Sequence, residues 1–266
     1  WPLFSMALLE QTLALLAMAM ATMAVNVIPL DMAHNSFDDQ YRGCAPAMTA
    51  ALPALNRSEF KHNKEFAEVW VKAAAEWQSR GSRVSPLSSP AQAIALRAYT
   101  MNGLYKKFND AVRVAGCCSQ EYRDNFHFKT LHFLLTQALK TLRDAQGLQC
   151  HDVYRGVRGV RFKAEHGDIV RFGQFTSASE SEETAKKFGN SMVFQVRTCY
   201  GVEISNFSKY PNEKEVLIPP FETFQVIKVR RIVNKVRIQL RSTGTFSKYN
   251  CEWLRGDTTG DSLGRW

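Results

Sequence analysis

The sequence predicts an α+β protein in which a helical N-terminal half packs on a β core formed by the C-terminal half. Apolar residues recur at helical spacing before Cys150, and short β-branched and aromatic runs follow it. With 266 residues and 45% hydrophobic content, the chain is long enough to bury a full core. It contains no internal repeat and no linker long enough to divide it, so we expect one domain with segregated helices and strands.

The helical half contains three predicted helices. The first lies within residues 58–78, where apolar side chains recur at helical spacing. The second begins at Ser89, a serine cap followed by proline, and ends at Gly103. The third starts near Tyr122 and ends near Gly147, because glycine can terminate a helix. The apolar stripe of the first helix, which we interpret as core packing, consists of Phe66, Val69, Trp70, Ala73 and Trp77.

The strand-rich half begins after Cys150. Turn residues separate its runs of β-branched and aromatic residues, which is the pattern of short strands. The predicted strands lie at residues 153–160, 169–175, 192–196, 216–218, 224–229 and 236–240.

The charge of the chain favours an anionic partner, since the formal net charge is +9 and the pI is near 9.3. The basic residues are scattered and no zinc-finger spacing is present, so we expect no nucleic-acid partner. Neither a G-x-G-x-x-G sequence nor a P-loop occurs. Without a CxxC pair or a His-rich cluster, we expect no metal. A phosphate-bearing small ligand, or simple solubility, fits this composition better than a nucleic-acid partner.

The N-terminal segment predicts a secretory signal. Residues 1–28 contain no Lys or Arg, and Glu10 is their only charge. The apolar stretch at 13–25 is short for a membrane span, which needs about 20 residues. We therefore predict a signal peptide at 1–24, cleaved near 21–24, and a single domain at 25–266. Loss of Glu10 would raise the net charge from +9 to +10.

The C-terminal segment is polar from about residue 256. No hydrophobic run follows it, so the sequence predicts no glycolipid anchor and a secreted protein. We also expect a monomer.

Six cysteines agree with a secretory route, because secreted proteins commonly carry a disulfide framework. Sequence alone does not choose among the many possible pairings. Sequons beginning at Asn56 and Asn206 are candidate glycosylation sites. The cysteines are Cys44, Cys117, Cys118, Cys150, Cys199 and Cys251.

Two glutamates, Glu213 and Glu215, stand where an apolar, strand-like run begins. Residues i and i+2 of an extended segment project to the same face, so both carboxylates would face one space. Like charges that close raise the pKa of at least one group. Such a pair suits a site that faces developing positive charge. The competing interpretation is a solvated acidic loop.

Two upstream segments offer partners for these glutamates. Arg155 stands beside Gly156 on a predicted strand, where the guanidinium can bind phosphate and the glycine lets a ligand approach the backbone. Ser177 and Ser179 share a face of the next strand and can bind a sugar or orient a carboxylate. The competing interpretations are a surface arginine and a serine cap for a following helix.

The motifs in this order resemble a known family. They are VYRGV at 153–157, RFGQFTSAS at 171–179, FG at 188–189 and NEKEVLIPPFETFQV at 212–226. Together they make the chain similar to the secreted and surface arginine-specific mono-ADP-ribosyltransferases of vertebrates, members of the Arg-Ser-Glu class. The resemblance covers nearly the whole chain after the signal segment.

The resemblance implies a mostly antiparallel β core of the ADP-ribosyltransferase type. It also implies transfer of ADP-ribose from NAD or NADP to arginine side chains of proteins or to small guanidino acceptors, with release of nicotinamide. One alternative is an enzyme that mainly hydrolyses NAD. Another is a secreted, non-catalytic protein of the same fold that binds anions.

The resemblance assigns roles in binding the cosubstrate. Arg155 would bind the phosphates of NAD, and the backbone of Gly156 would meet the nicotinamide amide. Phe188 would pack against the nicotinamide ring. Ser177 would position Glu215, which would bind the ribose hydroxyl beside the scissile bond.

The chemistry explains why two carboxylates are useful. Breaking the nicotinamide–ribose bond develops an oxocarbenium-like cation, which a carboxylate such as Glu215 stabilises. The acceptor guanidinium is a poor nucleophile while protonated, so Glu213 would hold it and take its proton. The disulfides that the resemblance implies are Cys44–Cys251 and Cys150–Cys199, which leaves Cys117 and Cys118 outside.

Overall fold

The computed structural model describes residues 26–233 and 235–256. The predicted signal peptide and most of the predicted polar tail lie outside these residues. The helices are α1 (Ala45–His62), α2 (Lys64–Ser79), α3 (Pro90–Thr100), α4 (Leu104–Ala115), α5 (Ser119–Asp124), α6 (Lys129–Ala145) and α7 (Glu182–Lys187). The strands are β1 (Asn26–Pro29), β2 (His151–Val157), β3 (Val160–Lys163), β4 (Ile169–Val170), β5 (Thr176–Ser179), β6 (Met192–Thr198), β7 (Val202–Glu203), β8 (Glu215–Ile218), β9 (Glu222–Ile232) and β10 (Lys235–Thr245).

The described strands form an eight-stranded sheet in the order β4-β9-β10-β6-β2-β5-β8-β7 and a small parallel pair, β1-β3. In the large sheet β6 and β10 run parallel, whereas the other neighbouring pairs are antiparallel. Six helices precede this sheet, and α7 lies between β5 and β6. The predicted α+β class with a mostly antiparallel core is confirmed.

The helical half contains more helices than its sequence pattern predicts. The helix predicted within 58–78 is two helices that meet at Asn63, whose side chain accepts a hydrogen bond from the backbone N–H of Phe66. The segment predicted to start near Tyr122 is divided between α5 and α6. Helix α4 has no counterpart in the prediction. The predicted start at Ser89 and the termination near Gly147, which has a φ of 85°, agree with the structure.

Two apolar clusters form the core. One lies among the helices and includes Phe66, Phe108 and Leu135, and the other fills the sheet around Phe194. Phe175, which precedes β5, belongs to the helical cluster and is fully buried. The helices therefore pack against the β5 side of the sheet, and this contact fixes one wall of the crevice described below.

Buried charges tie distant segments to this core. The carboxylate of Glu59 accepts backbone N–H groups of Lys129 and Thr130, and so caps the N-terminus of α6. Arg171 donates to the carboxylate of Asp38 at 2.6 Å, and both side chains are fully buried. These contacts hold the segment before α1 and the start of α6 in place.

Both disulfides implied by the resemblance are present, joining Cys44 to Cys251 and Cys150 to Cys199. Cys117 and Cys118 are free and exposed. No helix within the described ranges is long and apolar enough to cross a membrane. The same residues contain no group of three or more His, Cys, Asp or Glu side chains that could hold a metal ion.

Candidate active site

A cavity of about 430 Å³ lies between the helical half and the centre of the sheet. Its walls come from α3, α4, β2, β5, α7 and the turn before β8. All of the residues predicted to carry chemistry line it. These are Arg155, Gly156, Ser177, Ser179, Phe188, Glu213 and Glu215.

Arg155 is placed by β2, which lies between β5 and β6 in the sheet. Its Nη1 donates a hydrogen bond to the carbonyl of Ser177 at 2.6 Å. Burial lowers the pKa of Arg155, and the nearby side chains of Tyr99, Tyr105 and Glu215 oppose this effect. Since an arginine remains protonated throughout the physiological range, the cavity holds a fixed positive charge beside the carboxylate of Glu215.

Gly156 allows α7 and the turn after it to approach β2. A Cβ atom at this position would lie 2.2 Å from the carbonyl oxygens of Ala185 and Gly189. No side chain fits there without moving the backbone. The residue therefore brings α7, and with it Phe188, to the mouth of the cavity. The Phe188 side chain is 55% exposed.

The two serines of β5 have different surroundings. Ser177 lines the cavity near the Glu215 carboxyl and lowers the pKa of that group. Ser179 donates to the backbone carbonyl of Glu213 at 2.7 Å and accepts the backbone N–H of Ser181 at 3.0 Å. Ser181, rather than Ser179, caps α7 by accepting the N–H of Thr184. Strand β5 therefore lies against both glutamates: it pairs with β8 at Glu215, and Ser179 bonds the backbone of Glu213.

Glu215 is the first residue of β8 and is only 6% exposed. Burial raises the pKa of its carboxyl; hydrogen bonds from Ser177 and Ser208 lower it, while Glu213 raises it and Arg155 lowers it. The Ser208 hydroxyl donates to Oε2 at 3.0 Å. Burial of the Glu215 carboxylate disfavours its ionised form, and the hydroxyls of Ser177 and Ser208 offset this effect.

Glu213 is not on the strand, so the prediction that one extended segment carries both glutamates is wrong. It ends a short 3-10 helix at Pro211–Glu213, and Lys214 follows in the left-handed region with a φ of 46°. The carboxylate still lines the same cavity, half-buried at its mouth. Burial raises the pKa of Glu213, and Lys187 opposes the rise.

Three site residues have no signal in the motifs. Tyr99 of α3 donates its hydroxyl to the carbonyl of Phe175 at 3.0 Å and accepts from Asn109 of α4. Ser208, the donor to Glu215, lies in the loop before the 3-10 helix. The apolar spacing of α4 would have revealed that helix, but no sequence pattern places Tyr99 or Ser208 beside the glutamates.

A family model described as NAD:arginine ADP-ribosyltransferase matches residues 30–248. This chain belongs to that family. It is 51% identical over 234 residues to the erythroblast NAD(P)(+)--arginine ADP-ribosyltransferase of Gallus gallus, covering 87% of this chain and 78% of that protein. It is 48% identical over 245 residues to the GPI-linked NAD(P)(+)--arginine ADP-ribosyltransferase 1 of Homo sapiens, covering 86% of this chain and 75% of the relative.

Among solved structures, a variant of the eukaryotic mono-ADP-ribosyltransferase ART2.2 in complex with NADH is similar to this chain. The TM-score is 0.74 at 37% identity, and the match covers 85% of this chain and 98% of that one. The family resemblance of the motifs is confirmed. The expectation of no membrane anchor is not supported, because the human relative is named as GPI-linked and the family therefore includes anchored enzymes.

Proposed function

We propose that this chain transfers ADP-ribose from NAD or NADP to the guanidinium of arginine, in proteins or in small guanidino compounds, and releases nicotinamide. The observation that carries the proposal is the convergence of Arg155, Ser177, Glu213 and Glu215 on one cavity. Family membership supports the same reaction. NAD is the cosubstrate, and no step requires a metal.

Binding of the cosubstrate is assigned to the β2 side of the cavity. The guanidinium of Arg155 offers forked donors that suit the diphosphate of NAD. The backbone at Gly156 is open to the cavity because the residue has no side chain, so it can meet the nicotinamide amide. The exposed ring of Phe188 stands at the mouth and can cover the nicotinamide ring.

Cleavage is assigned to Glu215. As the bond between the ribose and the nicotinamide nitrogen breaks, its electron pair leaves with nicotinamide, which departs neutral. The ribose carbon then carries oxocarbenium-like positive charge. An ionised Glu215 stabilises that charge as it forms, because the Ser208 hydroxyl already donates to it and Ser177 also favours the ionised form.

Acceptor capture is assigned to Glu213. Its carboxylate lies nearer the solvent than that of Glu215, where an arginine from another protein can reach it. A carboxylate binds a guanidinium in a bidentate manner and can take its proton as the nitrogen attacks the ribose carbon. If water attacks instead, the products are ADP-ribose and nicotinamide. This hydrolysis is the competing function, and intact Glu213 favours transfer over it.

The test uses labelled NAD and a small guanidino acceptor with wild-type protein. Transfer gives a labelled adduct together with nicotinamide. Nicotinamide without adduct would establish hydrolysis, and no turnover by correctly disulfide-bonded protein would establish a binding protein.

Variants of the two glutamates separate their roles. We expect Glu215→Ala to abolish both reactions. We expect Glu213→Gln to lose transfer and keep some hydrolysis. Glu183→Gln is the matched control, because Glu183 is exposed on α7 and does not line the cavity. Equal loss of both reactions in Glu213→Gln would contradict the division of roles.

We further infer a secretory route for this chain, in which residues 1–24 are a cleaved signal peptide and residues 25–266 are exported to the extracellular side as a single domain and a monomer. The two disulfides support an oxidising compartment. Asn206 is exposed and Asn56 is half-buried, so Asn206 is the better glycosylation candidate. A mass loss on enzymatic deglycosylation, absent in Asn206→Gln, tests this point.

A further inference from the structure

A second cavity of about 220 Å³ opens on the helical side of the molecule. Three arginines line it: Arg80 just after α2, Arg83 in the following loop, and Arg97 of α3. Trp77 and Phe207 form apolar walls. The catalytic proposal does not use any of these residues.

Arg97 is the most informative of the three because its side chain is almost fully buried, with the residue only 3% exposed. Its Nη1 donates to the carbonyl of Ser208 at 2.8 Å. A carboxylate oxygen of Glu76 lies 3.9 Å away, but Glu76 also forms an ion pair with Lys209. A guanidinium has five N–H donors. Among the residues that the structure describes, the Arg97 side chain donates one hydrogen bond. Its other N–H groups can therefore bind a ligand in the cavity.

The other two arginines add charge to the same space. Arg80 and Arg83 are exposed, and neither forms an ion pair with a described residue. Burial lowers the pKa of Arg97, and the charge of Arg80 lowers it further. Three like charges around one small cavity repel each other, and Glu76 is shared with Lys209. An anion between the arginines would relieve this repulsion and accept the unused donors.

We propose that this cavity binds a small tetrahedral oxyanion, either inorganic phosphate or the phosphate group of a phosphomonoester. Arg97 forms the floor of the site and supplies preorganised donors. Arg80 and Arg83 supply charge at the mouth. The planar fork of arginine matches phosphate geometry, and a buried guanidinium loses little side-chain freedom on binding.

The site is separate from the NAD cavity, but Ser208 connects it to the proposed catalytic residue Glu215. The carbonyl of Ser208 accepts from Arg97, and the hydroxyl of Ser208 donates to Glu215. The oxyanion would therefore be bound behind the loop that holds the proposed catalytic carboxylate. Binding itself requires no turnover, so this proposal can fail or succeed independently of the proposed reaction.

The experiment is a calorimetric titration of the purified full chain with phosphate, compared with chloride at equal ionic strength. The protein is enzymatically deglycosylated first, because Asn206, the glycosylation candidate, also lines this cavity. Wild type should show saturable binding of phosphate and not of chloride. The double variant Arg80→Gln with Arg83→Gln should bind at least tenfold more weakly. Arg57→Gln with Lys72→Gln is the matched control, because it removes two exposed positive charges from α1 and α2 outside the cavity and should bind like wild type.

A third variant excludes the NAD cavity as the source of the signal. Arg155→Gln should retain phosphate binding. Loss of binding in Arg155→Gln, unchanged binding in the Arg80/Arg83 double variant, or no difference between phosphate and chloride would each overturn the proposal. A parallel titration with phosphoserine separates the two sources of the ligand. Tighter binding of phosphoserine identifies a phosphomonoester, and tighter binding of phosphate identifies the free ion.

Discussion

Replacement of Ser208 by alanine tests how the site keeps its buried carboxylate ionised. The Ser208 hydroxyl is fully buried and donates to Oε2 of Glu215 at 3.0 Å. A hydrogen bond to a charged group contributes about 1.5–3 kcal/mol. Since about 1.4 kcal/mol corresponds to tenfold in rate, full loss would reduce kcat between about tenfold and about 150-fold. Ser177 still lowers the pKa of Glu215 in this variant, so we expect the lower end of that range.

The same change should alter the pH dependence of kcat. The hydrogen bond from Ser208 lowers the pKa of Glu215, against the larger effect of burial, which raises it. Without that bond the pKa rises further. Because the ionised carboxylate stabilises the transition state, the acidic limb of the kcat profile should move to higher pH.

Ser205 provides a control in the same loop. Its hydroxyl is buried and has no hydrogen-bond partner among the described residues, so Ser205→Ala removes the same atom without breaking a bond. Nicotinamide release at saturating NAD, measured across pH, compares the two variants. An unmoved acidic limb in Ser208→Ala, or an equal loss in Ser205→Ala, would refute the reasoning.

Three further outcomes follow from the buried groups. Arg171→Met removes the ion-pair partner of the buried Asp38 carboxylate and should cost about 3–5 kcal/mol of unfolding free energy, measured in urea. A change below about 1 kcal/mol would contradict this. Gly156→Ala should lower both NAD turnover and the unfolding temperature, because its Cβ has no room; unchanged values of both would contradict the packing. His132 is buried and its pKa is lowered from 6.5 to about 3, so the unfolded state takes up the proton first as pH falls. Unfolding free energy should therefore decrease below about pH 6.5, and a His132→Gln variant should lose that part of the pH dependence.

The sequence predicts those parts of the fold that depend on local chemistry. Ser89 followed by Pro90 marks a helix start, since proline suits the first turn and the serine precedes it. Gly147 marks a helix end because it adopts a positive φ at no steric cost. The β-branched runs predict strands, although the run at 169–175 forms a strand only at β4, since Arg171 leaves the sheet to bind Asp38.

The break at Asn63 shows where periodicity misleads. The apolar stripe continues from α1 into α2, so spacing alone indicates one helix. Asn63 interrupts it because its side chain accepts the N–H of Phe66, which replaces a helical bond at that point. An asparagine can cap a helix, but whether it does so depends on how the two helices pack against α3 and α6. That packing is a tertiary property.

Glu213 and Glu215 line one cavity, as their spacing predicts, but they do not share one extended segment. The expected extended segment would have given both carboxylates the same surroundings. Instead, the left-handed turn at Lys214 separates them, and Glu213 stays half-buried at the mouth while Glu215 is buried beside Ser208. The two proposed roles require this difference, because an acceptor guanidinium must reach one carboxylate from solvent and the ribose must meet the other away from it. Spacing in the sequence predicts the pair, but the turn and a serine seven residues earlier make its members unequal.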